Sequence, residues 1–546
     1  MNTNVNEVWI TSDKLESFVS ESKRLKPRYK FSELMMYLKS NTSNICAIYG
    51  LRRTGKTILM KQAIRELVND GESADAIAYI TFGKSTEYSD LHLLNDINDL
   101  VNKGIKYVFI DEISYINMDL EDNSLNKLSD VYCCNGIKIV VAGTFSYAIK
   151  LLSEDVLYDR VTRIDTTFFS FKEAHEVLGI TLDEFIQFGG IMFNQSDNKT
   201  PREYMQTAVV DNIVTSVIRS NKLYDIGYLD EKTDGFIEKN DIKRLKHRLS
   251  TLVKIVIDQY MKVLIYNKIT GRPYKFSDIG NLADIIRQRS NKEHKIDEAL
   301  SEIRIDKRKY YEILQSALGT IEKERLNSKI FKEFIDILKQ IGVIEDIYLQ
   351  GTSLSCVVTS YLRYGLCDEI VSVIEDAIQE ETGHRYSAYL ANEVLKGNML
   401  ETIIFLDLKH SNKYDFDKFT NAESNKEIDL IIKDHNAKAL DLYEIKHSSE
   451  QVGVQAKHLL DEELKLEIER VTGYKIRSLN VIYNGLPCEK QINAIQMYQQ
   501  LKEKADASGE TNLALKYDRI IQTATVQNWQ TQTIHYINAT EFLLKI

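Results

Sequence analysis

The chain has 546 residues, of which 43% are hydrophobic and 27% charged, so it is too long for a single core and has the composition of ordinary globular domains. Its formal charge of −10 argues against wholesale electrostatic binding of nucleic acid, and 6 scattered cysteines without a CxxC pair indicate neither a disulfide framework nor a zinc site. No stretch has the roughly 18 uninterrupted apolar residues that a membrane helix needs, and the N-terminus lacks the layout of a signal peptide, so we expect a cytoplasmic protein without a membrane partner.

The first predicted elements form a phosphate-binding unit. Residues 44–49 are a short, mostly apolar run typical of a buried parallel strand, and residues 58–67 continue as a helical pattern. Between them lies a sequence that fits GxxxxGK[ST] in full, Gly50-Leu51-Arg52-Arg53-Thr54-Gly55-Lys56-Thr57. A strand, a glycine loop and a helix in this order are the context that confirms a P-loop, so we expect ATP and Mg²⁺ as cofactors.

The residue types in this loop suit phosphate chemistry. Its two glycines let the backbone curl so that N–H groups face the phosphates, and the helix N-terminus adds positive dipole there. Lys56 would reach the β- and γ-phosphates, and the Thr57 hydroxyl would bind Mg²⁺. We therefore predict nucleotide contacts at Gly50, Arg53, Thr54, Gly55, Lys56 and Thr57.

A second apolar run, residues 106–112, ends in Asp111 and Glu112. A parallel strand here would place both carboxylates at the carboxyl edge of the sheet, where ligands bind. Asp111 would hold Mg²⁺, directly or through water, and would thereby also help to bind the nucleotide. Glu112 would orient and deprotonate the attacking water, so the pair predicts hydrolysis.

Two further runs, residues 76–82 and 138–143, are predicted to be strands of the same doubly wound parallel sheet. Thr144 follows the second run, and its hydroxyl could contact the γ-phosphate or the water. The arginine that stabilises charge on the γ-phosphate could be Arg160, in cis or in a neighbouring subunit of a homo-oligomer. It could equally be one of the two arginines in the loop, and the sequence leaves that choice open.

Together these parts resemble the AAA-type ATPases of the archaeal and bacterial kind. The resemblance rests on GLRRTGKT at residues 50–57, FIDEIS at 109–114, VVAGTFS at 140–146 and FIQFGG at 185–190. Proteins of this kind carry a winged helix and a nuclease-like domain after the ATPase. The resemblance therefore implies a P-loop core over residues 1–165, a helical lid over 166–240, a winged-helix-like region over 241–352 and a nuclease-like domain over 353–546.

The middle of the chain is mainly helical by pattern. Residues 328–340 are predicted to form a helix ended by Gly342, and residues 343–349 a strand, which is how a winged helix ends. Loose basic clusters at residues 287–295 and 307–309 could contact DNA, although solvated helix faces explain them more simply.

The C-terminal third carries three acids and a lysine on neighbouring predicted elements. Glu401 lies alone among apolar residues of a predicted helix. Asp429 lies on the first strand of a predicted hairpin over residues 427–446, and Glu444 and Lys446 share a face of the second strand. Converging carboxylates and a lysine can hold Mg²⁺ and position a water for phosphodiester cleavage.

This pattern looks like the PD-(D/E)xK nuclease fold. The resemblance implies that Asp429 and Glu444 bind a metal, that Lys446 is catalytic and that Glu401 is an additional metal-binding acid. The fold class that follows is α/β, with a doubly wound parallel P-loop sheet, a helical or winged-helix middle and a C-terminal α/β restriction-endonuclease-like domain. We expect that domain to continue with a helix at 462–470, a strand at 479–483 and a final segment, 537–546, that returns to the sheet.

Three functions fit these patterns. The first is an ATPase that couples nucleotide state to the nuclease-like domain and acts on nucleic acid such as DNA. The second is a regulatory ATPase that binds a protein partner and has a catalytically inactive nuclease-like domain, which the acidic net charge favours. The third, a small-molecule kinase, is disfavoured because Glu112 beside Asp111 suits attack by water.

Overall fold

The computed structural model describes residues 7–8, 12–82, 90–113, 128–143, 160–192, 200, 203–204, 338–340, 342–365, 376, 379–380, 389–421, 426–449, 456–507, 509 and 511–546. The chain divides into two compact units, Met1–Glu345 with Val357–Ala388 and Asp346–Cys356 with Tyr389–Ile546. Residues 205–337 lie outside the described residues, and with them the predicted basic clusters and most of the predicted winged helix.

A six-stranded sheet organises the first unit, in the order β1-β3-β4-β5-β2-β6. Strands β2 to β6 are parallel, and β1 runs antiparallel to β3. The five parallel strands confirm the predicted parallel sheet, whereas β6 is a strand that the sequence reading missed. The strands are β1 (Glu7–Val8), β2 (Ile45–Tyr49), β3 (Ile77–Thr81), β4 (Tyr107–Asp111), β5 (Lys138–Gly143) and β6 (Val161–Asp165).

Apolar side chains project from both faces of this sheet, because successive residues of a strand point to opposite sides. Ile45 and Ala47 of β2 pack into one core together with α4. Cys46 and Ile48 pack into a second core together with α1, α2 and α3. The sheet is therefore covered by helices on both faces, and these helices are α1 (Ser12–Val19), α2 (Lys30–Lys39), α3 (Lys56–Asn69) and α4 (Asp90–Asn102).

The strand order brings two chain segments to one edge of the sheet. Strands β2 and β4 both flank β5, and all three are parallel. The loop at residues 50–55 follows the carboxyl end of β2, and Asp111 is the last residue of β4. Both therefore lie at the carboxyl edge, where open parallel sheets bind their ligands.

Two short capped helices follow the sheet. Helix α5 (Phe171–Leu178) begins after Ser170, and α6 (Leu182–Phe188) begins with a capping box between Thr181 and Glu184. Residues 338–340 are helical, and Gly342 follows them with φ +76°. Strand β7 (Ile344–Leu349) then pairs with β8 (Thr352–Val357), so the predicted strand at residues 343–349 is confirmed.

The second unit is built on a mixed six-stranded sheet in the order β13-β14-β12-β11-β10-β9. Strands β9, β10 and β11 are antiparallel neighbours, β11, β12 and β14 are parallel, and β13 is antiparallel to β14. The strands are β9 (Asp415–Thr420), β10 (Glu427–Asp434), β11 (Ala439–Ile445), β12 (Lys475–Tyr483), β13 (Cys488–Ile492) and β14 (Gln532–Asn538). The helices are α7 (Tyr389–Ser411), α8 (Glu462–Thr472), α9 (Ala494–Ala507), α10 (Thr511–Val526) and α11 (Ala539–Lys545).

The predicted hairpin is confirmed, because β10 and β11 pair with Leu430 opposite Tyr443. The final segment is only partly as predicted: β14 ends at Asn538, and the residues after it form α11 instead of a strand. The reason is local, since the Asn538 side chain accepts a hydrogen bond from the Glu541 N–H and so starts a helix. Within the described part of the chain, no helix combines the length and the apolar character needed to cross a membrane.

Candidate functional site

The loop after β2 can be built only with its two glycines. Gly50 has φ +149° and Gly55 has φ +89°, a range that residues with a side chain rarely adopt. A Cβ on Gly50 would lie 2.4 Å from Thr166 Oγ1, and one on Gly55 would lie 2.2 Å from Met192 Sδ. The backbone angle therefore requires glycine at both positions, and at Gly50 the close packing against Thr166 and the Thr167 backbone requires it as well.

Helix α3 begins directly at Lys56, with Gly55 as its N-cap. No side chain caps this helix end. The first N–H groups of an α-helix have no partner within the helix, and together with the helix dipole they form a site for an anion. The loop and the start of α3 thus fit a phosphate group.

Lys56 is buried beneath the loop. Its ammonium donates hydrogen bonds to the Gly50 carbonyl at 3.0 Å and the Leu51 carbonyl at 2.8 Å. Burial lowers the pKa of Lys56 to about 8, although the nearby carboxylates of Glu112 and Asp111 act to raise it. A phosphate beside this ammonium would stabilise its charged form, because an opposite charge at short range favours ionisation.

Asp111 is the centre of a short hydrogen-bond network. Its Oδ2 accepts from the Thr57 hydroxyl at 2.6 Å and from the Tyr79 hydroxyl at 2.7 Å. Burial, followed by the charge of Asp111, raises the pKa of Tyr79, so this phenol stays protonated and donates. A hydroxyl and a carboxylate are the oxygen ligands that Mg²⁺ prefers, and the pair fits the predicted cation site.

Glu112 adopts a backbone conformation that is uncommon for its type, with φ +55°. Its N–H donates to Asp111 Oδ1 at 3.0 Å, which holds the turn after β4. Its carboxylate is close enough to Lys56 to raise the pKa of that ammonium. Strained backbone of this kind clusters at functional sites, and here it directs the acid predicted to activate water toward the loop.

Arg28 ties the loop to the rest of the first unit. Its guanidinium donates to three carbonyls, those of Thr54 at 2.7 Å, Thr166 at 2.8 Å and Phe168 at 2.7 Å. It also donates to both carboxylate oxygens of Glu173, at 2.9 and 3.0 Å. Only 3% of Arg28 is exposed, so Arg28 and Glu173 form a buried ion pair. We call Arg28 and its contacts with Glu173 and the three carbonyls the Arg28 hub.

Three predicted residues of the second unit converge at the end of the β10–β11 hairpin. Asp429 Oδ2 accepts from the Ile445 N–H at 2.9 Å and from Lys446 Nζ at 2.9 Å. Lys446 Nζ also donates to Glu444 Oε2 at 2.7 Å. Burial acts to lower the pKa of Lys446, but Asp429 and Glu444 outweigh it, so the pKa lies above its usual value. The lysine therefore stays charged between the two acids.

A second group of acids adjoins the first through Asp429. One oxygen from each of Glu401, Glu427 and Asp429 lies within 4.8 Å of the others, a spacing suited to one metal ion. Lys418 Nζ lies 3.0 Å from Glu401 Oε1 and also pairs with Glu427. Asp429 is thus shared by the two groups, whereas Glu444 is not part of the second one.

The buried carboxylate of Glu444 favours a bound cation at this site. It is 4% exposed, and its Oε1 has no hydrogen-bond partner among the described residues. His458 Nδ1 lies 3.5 Å away, but it is 2.8 Å from the Glu427 carbonyl. Burial, and then the charge of Asp429, raises the pKa of Glu444. A buried carboxylate oxygen without a hydrogen bond is uncommon, and a cation would stabilise it.

Comparison with known proteins gives one informative match. A family model described as an AAA domain matches residues 42–175, which include the loop, α3, β4 and the start of α5. The first unit carries an AAA-family P-loop ATPase domain. A search of the curated proteins found no match.

Similar solved structures include two of S. cerevisiae Hsp104, a casein complex in an extended conformation and an ADP complex, and one of AMPPCP-bound DnaA from Aquifex aeolicus. Each is 13% identical, with TM-scores of 0.24, 0.25 and 0.22 in that order. The alignments cover 39%, 86% and 57% of this chain and 38%, 68% and 86% of the other. At these TM-scores the likenesses carry no argument, and the chain spans 38% of the first match.

Arg160 lies at the amino end of β2, opposite the end from which the P-loop leaves. Arg160 precedes β6, its carbonyl accepts from the Ile45 N–H, and Ile45 opens β2. The P-loop leaves the other end of β2, so Arg160 is separated from it by the length of a five-residue strand, about 16 Å. Its side chain pairs with Asp130 at 2.8 Å. Arg160 therefore lies far from the P-loop of its own chain in this structure, and its predicted role at a γ-phosphate, in cis or in a neighbouring subunit, stays a prediction.

The remaining predicted nucleotide-binding residues of the AAA domain differ in their burial and contacts. Thr54 is fully buried, and its hydroxyl contacts the Leu51 carbonyl and Thr166 Oγ1, so only its backbone can face a phosphate. The Arg53 guanidinium lies over the ring of Tyr204 at 4.6 Å. Thr144 lies outside the described residues, directly after β5.

Four residues of these sites were missed by sequence reasoning, namely Arg28, Tyr79, Lys418 and Glu427. Tyr79 was detectable, because its phenol lies among the apolar residues of the predicted strand at residues 76–82; the structure pairs this strand with the one that ends in Asp111. Glu427 stands two residues before Asp429 on the same strand and therefore points to the same side. Arg28 and Lys418 gave no local signal, since their partners lie far away in the sequence.

Proposed function

We propose that the chain binds ATP with Mg²⁺ at the P-loop and hydrolyses it, and that nucleotide state controls a C-terminal nuclease-like site acting on nucleic acid. The proposal divides the chain into a P-loop core (1–165), a helical lid (166–240), a winged-helix-like region (241–352) and a restriction-endonuclease-like domain (353–546). The observation that carries the ATPase part is the convergence of Lys56, Thr57, Asp111 and Glu112 on one sheet edge.

The residues of the P-loop edge divide the work as follows. Backbone N–H groups at the start of α3 and the Lys56 ammonium bind phosphate oxygens. Thr57 and Asp111 supply the oxygens that would hold Mg²⁺, which when bound neutralises charge that develops on the phosphates. Glu112 accepts the proton of the attacking water at its carboxylate.

The binding role of Lys56 gives a direct test. We expect Lys56→Ala to weaken ATP binding by roughly one to two orders of magnitude, because a charge-assisted contact to a phosphate is lost. Lys61→Ala is the matched control, since Lys61 lies on the same helix with its ammonium over the Phe18 ring. Equilibrium binding of a fluorescent ATP analogue measures both. Equal affinity of Lys56→Ala and Lys61→Ala would contradict the assignment.

The C-terminal part of the proposal rests on the acids around Asp429. Asp429 and Glu444 would bind a divalent cation, with Glu401 as an additional acid, and the Lys446 ammonium would position the attacking water. We expect Mg²⁺- or Mn²⁺-dependent cleavage of DNA or RNA in the presence of ATP. Second-sphere changes already cost about 10- to 100-fold in metal affinity or activity, so Asp429→Asn should lower cleavage about a hundredfold or more.

Asp441→Asn is the matched control for that experiment. Asp441 lies on the same hairpin, but its carboxylate pairs with Arg477 and Ser478 outside the acid group. Cleavage that survives in Asp429→Asn, or that is lost equally in Asp441→Asn, would contradict the proposed site. The readout is a gel assay with labelled single- and double-stranded substrates.

A second candidate is a regulatory ATPase that binds a protein partner through an inactive C-terminal domain. Lys418 and Lys446, which already pair with the acids, favour it, because internal ion pairs could replace a metal in a scaffold. A salt-sensitive affinity for nucleic acid would count against this candidate. Release of phosphate with no other phosphorylated product would separate both candidates from a small-molecule kinase.

A further inference from the structure

Lys418 is the least expected residue of the C-terminal acid group. It comes from β9, the edge strand of the sheet, and its ammonium contacts Glu401 on α7 and Glu427 on β10. The Lys418 ammonium therefore occupies the Glu401–Glu427 half of the group.

The formal charges of the two halves can be compared. The Glu401–Glu427 half has two carboxylates and the Lys418 ammonium, and the Asp429–Glu444 half has two carboxylates and the Lys446 ammonium. With His458, which lies 3.5 Å from Glu444 Oε1, counted as neutral, four carboxylates and two ammonium groups leave a formal charge of −2, which one divalent cation balances. A second divalent cation would have to displace an ammonium from carboxylates that it already contacts.

The two halves differ in how well their oxygens are satisfied. Glu401 and Glu427 both accept from Lys418. On the other side, Glu444 Oε1 has no hydrogen-bond partner among the described residues, although the side chain is more than nine-tenths buried. This oxygen is the second observation that indicates a ligand, and it places the need for a cation in the Asp429–Glu444 half.

We infer that the Lys418 ammonium takes the place of a second metal ion at Glu401 and Glu427. The C-terminal site therefore binds one divalent cation, at Asp429 and Glu444, whereas the same carboxylates without Lys418 would bind two. This inference rests on the proposed metal site of the C-terminal domain. Two-metal sites hold their ions roughly 3.5–4 Å apart, so an ammonium held by the neighbouring acids takes the place that a second ion would need.

The test counts Mn²⁺ ions bound to the full-length chain without nucleotide, by electron paramagnetic resonance of the free ion during titration. We expect the wild-type chain to bind one more ion than Asp429→Asn, which assigns that ion to the C-terminal site. Lys418→Met should bind one ion more than the wild type, because Glu401 and Glu427 lose the ammonium that both of them contact. Lys418→Arg keeps the charge and should bind the wild-type number.

Lys433→Met is the matched control. Lys433 lies on the neighbouring strand β10, has the same side-chain exposure of 22% as Lys418 and pairs with Asp415 and Asp417 outside the acid group. It should leave the ion count unchanged. Circular dichroism and thermal unfolding verify that each variant folds. Mn²⁺ should raise the midpoint temperature of unfolding of Lys418→Met more than that of the wild type.

The outcomes separate the two claims. A wild type that binds two Asp429-dependent ions, or a folded Lys418→Met that binds the wild-type number, overturns the inference and leaves the proposed metal site standing. A Lys418→Met chain that does not fold even with Mn²⁺ also overturns it, because the added ion should replace the lost ammonium. A wild type that binds the same number of ions as Asp429→Asn removes the proposed site and the inference together.

Discussion

Glu112→Gln should leave ATP bound and lower its hydrolysis by about 10²- to 10⁴-fold, the usual contribution of a general base. The substitution keeps the size of the side chain and the N–H that donates to Asp111, so the turn after β4 is preserved. It removes only the carboxylate that would take the proton from water. ATP affinity should be unchanged or higher, because one negative charge near the phosphates is lost.

Two measurements check this prediction, phosphate release at saturating ATP and equilibrium binding of ATP. Glu33→Gln is the matched control, because Glu33 undergoes the same chemical change on α2, where it pairs with Lys30. That variant should hydrolyse ATP at the wild-type rate. Normal hydrolysis by Glu112→Gln would mean that another group activates the water, and loss of binding would mean that Glu112 holds the nucleotide or its metal.

Arg28→Met should destabilise the AAA domain by about 3–5 kcal/mol, the usual cost of breaking a buried ion pair from one side. The change leaves the Glu173 carboxylate buried without its cation and removes the donor to three carbonyls. One of these carbonyls belongs to Thr54 in the P-loop, so the loop should lose its anchor as well. We expect weaker ATP binding alongside the lower stability.

Arg160→Ala is the control for this second prediction. Its ion pair with Asp130 is exposed, and exposed pairs contribute about 0–1 kcal/mol. The double variant Arg28→Met/Glu173→Met should recover part of the loss, because it removes the uncompensated charge. Urea titration gives the free energy of unfolding of all three variants. Hydrogen exchange in peptides of residues 45–60 then measures the local stability of the P-loop in each of them. Equal stability of Arg28→Met and Arg160→Ala would contradict the hub.

The same pair of arginines shows where sequence reasoning stops. Arg160 follows the last strand that the sequence predicts for the P-loop sheet, at residues 138–143, so the sequence suggested a position close to the nucleotide. The missed strand β6 reverses that expectation, because it pairs in parallel with β2 and puts Arg160 at its amino end. Arg28 has no motif around it, and its partner Glu173 lies 145 residues away.

The C-terminal acids show the same limit in a second fold. The hairpin was predictable from alternation and a turn, and its register places Asp429, Glu444 and Lys446 together. Local spacing along two adjacent strands determines that contact. Glu401 approaches Asp429 from α7, and Lys418 enters from β9, so their positions depend on how the helix and the edge strand pack on the sheet.

The sequence by itself determined the parts whose chemistry is made by neighbouring residues. The P-loop is one such part, because eight consecutive residues supply both glycines, the lysine and the hydroxyl. The acid pair at the end of β4 is another. Only the tertiary structure decided which distant groups complete these sites, namely Arg28 under the loop and Lys418 among the acids. The physical reason is that buried charges are satisfied across packed elements, and sequence spacing carries no record of which elements pack together.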